Sequence, residues 1–190
     1  FLENAGLYSL NNEGDYIGSG GFGWTTQLPT KDYQGTARAK DLWVLFESQD
    51  TKALAPELFD EFVLQYQKPV MERFGLVCYG CCEPISERWH LLKDIPNIRR
   101  VSVSPTCDRA KMVDALQDKY VYSCRPNPAI LTASTFDEDA ARKDVRDILE
   151  KARGCCLEII MKDHDTIHND PSRAVAWCKI AKEEIGRYYK

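Results

Sequence analysis

The segment VCYGCCEPI, Val77 to Ile85, sets three thiols and a carboxylate close together where a short apolar run gives way to a helical pattern. Three chemistries fit such a cluster: a metal site, a redox pair, or buried sulfur. Cys78 and Cys81 match the C-x-x-C spacing of thioredoxin-like redox centres, but that chemistry wants its first cysteine exposed at a helix N-terminus, and Cys78 falls inside the apolar run. A metal site needs soft thiolates, a third ligand from another segment and a position left open for substrate. Cys81 and Cys82 supply the thiolates, and His164 is the candidate third ligand. The alternative for His164 is a loop histidine bonded to a neighbouring carboxylate.

From residue 42 onward, short runs rich in Val, Ile and Tyr alternate with amphipathic segments, the pattern of repeated βα units. The expected strands are Leu42–Phe46, Leu76–Gly80, Arg100–Ser104, Tyr120–Ser123 and Cys156–Met161. In parallel α/β folds, reactive groups gather where strands end, because the following loops converge on one side. All five exits carry such groups: Glu47 and Ser48; Cys81, Cys82 and Glu83; Thr106 and Cys107; Arg125 and Asn127; Lys162, Asp163, His164, Asp165 and His168. Cys155 and Cys156 enter a strand at the opposite end and read as packing, and Cys178, beside Trp177, reads as core.

A Thr135–Glu138 capping box is expected to open a helix whose apolar face is Ala141, Val145, Ile148, Leu149 and Ala152. A helix from Pro56 carries Leu58, Phe62, Tyr66, Val70 and Phe74 at helical spacing, with Pro69 expected to bend its last turn. The last helix starts after Asp170 and Pro171. Residues 1–40 hold most of the glycines and read as a helix end followed by a long loop, with 41–190 as the βα units. Gly18 to Gly23 matches G-x-G-x-x-G, but Trp24 to Pro29 cannot continue as the helix that a dinucleotide turn requires, and no kinase H-R-D or D-F-G accompanies it.

A net charge of −4 gives no basic field for a polyanion, so nucleic acid is a poor partner, and no apolar run reaches the length of a membrane span. Eight cysteines without a secretory signal point to a reducing, cytoplasmic setting. Small-molecule substrates or proteins are the expected partners. Five units cannot close an eight-stranded barrel. They form either a flavodoxin-like sheet or the C-terminal part of a (β/α)8 TIM barrel, and a chain beginning Phe1-Leu2-Glu3 is expected to be a piece of something longer. Uncovered strand edges would favour a homodimer or a missing N-terminal half.

The segments YGCCEPISERWHLLKDIPNIRRVSVSP, YVYSCRPNPA and IIMKDHDTIHNDPSRAVAWCKIAKEE resemble the C-terminal part of the uroporphyrinogen decarboxylase-like superfamily, near its corrinoid-dependent methyltransferases. The resemblance implies a TIM barrel of about twice this length. It also implies a methyltransferase-like enzyme in which zinc activates a thiol to take a methyl group from a corrinoid on a partner protein. Cys81, Cys82 and His164 would then hold zinc, with Glu83, Asp163 and Glu47 catalytic and Arg125, Asn127 and Lys162 binding substrate. Here Gly80 precedes the cysteines, and His164 stands where that branch has a distant cysteine. The alternatives are a metal-free decarboxylase or lyase, with Arg125 and Lys162 holding a small carboxylate or tetrapyrrole, and a non-catalytic corrinoid-binding module.

Overall fold

Alternating β-branched and aromatic residues favour extended backbone, and in the computed structural model, which describes residues 1–162 and 164–190, they form two sheets. The first is an antiparallel hairpin of β1 (Glu13–Gly18) and β2 (Gly21–Trp24). The second is all parallel, with β3 (Trp43–Phe46), β4 (Leu76–Tyr79), β5 (Ile98–Val103), β6 (Val121–Cys124) and β7 (Cys156–Ile159) neighbours in chain order. Their ends differ from the expected strands by no more than two residues. The connections carry α1 (Pro56–Phe59), α2 (Gln65–Met71), α3 (Ile85–Leu92), α4 (Arg109–Leu116), α5 (Ala129–Thr132) and α6 (Glu138–Lys151), and α7 (Ser172–Tyr188) follows β7. The chain is an α/β protein. No helix among the described residues is long and apolar enough to cross a membrane.

Because parallel crossovers are right-handed, strands added in one direction put their helices on one face. Helices of successive βα units accordingly touch: α1 with α3, α3 with α4, α4 with α6, and α6 with α7. Beneath them, Val77, Tyr79, Val101, Val103, Tyr122 and Cys124 point into the main core. Side chains alternate along a strand, so the intervening residues Leu45, Cys78, Arg100, Ser102, Ser123 and Glu158 occupy the other face, in register across neighbouring strands.

The hairpin lies on that second face, where the sequence alone suggested only a loop. Gly18 to Gly23 forms its turn and second strand. Close approach accounts for the glycines: a Cβ on Gly20 would stand 2.8 Å from Ile160, and one on Gly21 would stand 2.8 Å from the Arg100 guanidinium.

Three local expectations are corrected. The cap of α6 is Asp137, whose Oδ1 accepts from the amides of Asp139 and Ala140 at 3.0 Å each, so Thr135 lies outside the helix. Leu58, Phe62, Tyr66 and Val70 are exposed, while Phe59, Leu64 and Met71 are buried. The cause is a π-helical turn, Asp60–Leu64, between α1 and α2, which rotates the buried stripe away from the simple i+4 series. Cys178 is exposed rather than core.

Candidate functional site

Gly80, at φ 99°, turns the chain out of β4 and sets the buried Cys81 and the half-buried Cys82 at the sheet's C-terminal edge. Glu83 fixes this turn. Its side chain is fully buried; one oxygen accepts from the Ser48 amide (2.8 Å) and hydroxyl (3.2 Å), and the other from the Cys81 amide (2.9 Å). Arg88, also buried, donates to the Ser48 hydroxyl (3.1 Å), to the Thr51 carbonyl and to the Leu54 carbonyl (3.1 Å), and lies over the Phe59 ring. Glu83 thus ties the exits of β3 and β4 together and spends both oxygens doing so, which makes it a positioning residue.

The sulfurs meet two other segments. Cys81 Sγ lies 3.4 Å from Cys82 Sγ, and the Lys162 ammonium, from the exit of β7, lies 3.0 Å from Cys81 Sγ and 3.7 Å from Cys82 Sγ. Lys162 also donates to the Ser19 hydroxyl in the hairpin turn at 3.1 Å. Cys78, three residues earlier, is fully buried in β4, and burial pushes its pKa up to about 11, against the pull of Arg100 and Arg125.

Arg125, from the exit of β6, completes the group. It is 1% exposed. Its Nε donates to the Ser102 hydroxyl at 3.1 Å, and that hydroxyl donates to the Cys81 carbonyl at 3.0 Å. Neither Nη1 nor Nη2 has a partner among the described residues. Burial lowers the Arg125 pKa, opposed by nearby Cys78, Glu158 and Cys81. Deeper on the same face, Arg100 Nε lies 3.0 Å from Glu158 without being aligned as a hydrogen bond, and its Nη2 donates to the Phe22 carbonyl at 2.7 Å. Ser123 donates to Glu158. Arg125 and Lys162 thus stand at the same edge of the sheet as the two thiols.

Of the residues expected from sequence, Cys81, Cys82, Arg125 and Lys162 come together over Glu83. The others lie apart. The Glu47 side chain is exposed, and its carbonyl accepts from Gln67 at 2.8 Å. Asn127 accepts from the Ala129 amide (3.0 Å), starting α5, and lines a cleft of about 700 Å³ that reaches α4 and α6. His164 is exposed and lines a mostly apolar cleft of about 420 Å³ with Phe22, Trp24, Met161 and Trp177, which also reaches Gly20 and Glu158. The His168 ring bonds to the Thr132 carbonyl at 3.0 Å. Asp163 lies outside the described residues. Among the described residues no three His, Cys, Asp or Glu side chains gather to hold a metal ion, and the cation beside the thiols is Lys162.

Sequence reasoning missed Ser19, Arg100, Ser102 and Glu158. Arg100, Ser102 and Ser104 alternate with Val101 and Val103 along β5 and its exit, and that alternation was the available sign of a polar face. No protein-family model matches the chain, and no curated protein matches it significantly.

Proposed function

We propose that this chain is the catalytic part of an enzyme of the (β/α)8 type, acting without a metal on a small carboxylate as a decarboxylase or lyase. The observation that carries the reading is Arg125: a guanidinium buried at 1% exposure whose two terminal nitrogens have no partner among the described residues. Buried guanidinium donors left without acceptors are costly, and a carboxylate accepts from both terminal nitrogens at once. Lys162 supplies a second cation at the same place. Five parallel strands in chain order support the barrel assignment, as does the resemblance to the uroporphyrinogen decarboxylase-like superfamily. Labelled small carboxylates, with released carbon dioxide trapped, provide the test. Release that disappears in Arg125→Met supports the reading; no release, with no binding of acetate or malonate to the wild type, removes it.

The second reading, thiol methylation from a corrinoid carrier, is favoured by the 3.4 Å separation of the Cys81 and Cys82 sulfurs. Zinc bound there would keep a thiol ionised at neutral pH. The described residues offer two sulfurs and no third donor, so metal analysis of freshly purified protein decides it. Stoichiometric zinc, lost on Cys81→Ser, would establish this reading over the first.

A further inference from the structure

The anion site and the thiol are joined through one hydroxyl. Ser102 accepts from Arg125 Nε at 3.1 Å and donates to the Cys81 carbonyl at 3.0 Å, so the unpartnered terminal nitrogens of Arg125 and the Cys81 residue belong to one small region of the sheet's C-terminal edge. Ser19 and Cys82 steady the Lys162 ammonium against Cys81 Sγ. The hairpin turn covers this region, with Gly20 against Ile160 and Gly21 against Arg100. An anchored carboxylate would bring the carbon beside it within reach of a nucleophile held in place, which is how positioning lowers a barrier.

We infer that Cys81 is a nucleophile for small carboxylates whose neighbouring carbon is electrophilic, with Arg125 holding the carboxylate and Lys162 serving as the counter-ion of the reacting sulfur. This rests on the carboxylate reading above and extends it by naming the attacking atom and the substrate class. Iodoacetate is the simplest probe of that class. The Cys81 proton passes to solvent, the thiolate attacks the methylene carbon, the new carbon–sulfur bond forms as the carbon–iodine bond breaks, and iodide leaves with the electron pair.

The molecule contains its own reference, because Cys156 and Cys178 are exposed thiols on other parts of the fold. Native protein is treated in parallel with iodoacetate and with neutral iodoacetamide, and peptide mapping gives the labelling rate at each cysteine. The ratio of iodoacetate to iodoacetamide labelling at Cys81 is expected to exceed that at Cys156 and Cys178 by about tenfold or more, the range of one charge-assisted pair. Arg125→Lys, which keeps a charge and loses the fork, is expected to reduce that excess severalfold. Acetate is expected to shield wild-type Cys81 from iodoacetamide, a readout that needs no variant. Equal ratios at all three cysteines overturn the inference, as does an excess unchanged in a folded Arg125→Lys. If acetate shields Cys81 while the ratios stay equal, the nucleophile assignment alone falls; if acetate does not shield and the ratios are equal, the carboxylate reading falls with it.

Discussion

Replacing Glu83 with glutamine separates a structural role from a catalytic one. In the wild type, one carboxylate oxygen takes two donors from Ser48 and the other takes the Cys81 amide, all within a fully buried pocket. An amide has one acceptor oxygen. In its better orientation that oxygen keeps Ser48, and the new NH2 group faces the Cys81 N–H donor to donor. One buried hydrogen bond to a charged group is lost and a buried donor is left unpaired, while the nearby Arg88 charge loses its balance. Together these cost about 2–4 kcal/mol, or roughly 5–15 °C of melting temperature for a domain of this size. Thermal and urea unfolding of Glu83→Gln measure it. A variant as stable as wild type that has lost turnover would refute the positioning role and return Glu83 to the chemistry.

Other perturbations test the packing around the site. Glu184 accepts from Arg142, Arg146 and Arg187, and hydrogen bonds led by Arg146 hold its pKa down to about 2. Its contribution is therefore fully present above the ordinary carboxylate range and is lost as pH falls through about 2. Glu184→Gln should be less stable than wild type at neutral pH in urea unfolding, and the gap should close in strong acid. Asp144 has the opposite sign: burial raises its pKa, against the pull of Arg109, and its Oδ2 is buried without a partner among the described residues. Its charged form costs stability once pH exceeds the unfolded carboxylate range, so Asp144→Asn should raise the melting temperature at neutral pH and lose that gain in acid. Cys78 should resist iodoacetamide at pH values where Cys156 reacts, since its thiol titrates near 11; peptide mapping of native protein checks this.

The sheet was legible because its signal is local. Five apolar runs separated by helical patterns marked the strands, and Cys81, Cys82, Arg125 and Lys162 were among the polar groups expected at their exits. What failed depended on tertiary context. The π turn at Asp60–Leu64 rotates a helix face that simple periodicity assigned to the core, and Asp137 outcompetes Thr135 as a cap through its contacts with two amides. Exit position alone also could not say where side chains point. Asn127 turns back to start a helix, His164 faces an apolar cleft, and Glu83 faces the backbone. The glycine-rich segment gave no strand signal because its glycines serve a close approach to Ile160 and Arg100, residues remote in sequence.

In the carboxylate reading the terminal nitrogens of Arg125 are the seat of the anion. Nitrogen NMR of protein labelled in arginine observes them directly, with the Arg125 guanidinium signals assigned by their absence in Arg125→Lys. Saturable movement of those signals on adding acetate, with none on adding acetamide, is the predicted result. Signals that stay fixed, or that move equally with both, would contradict it.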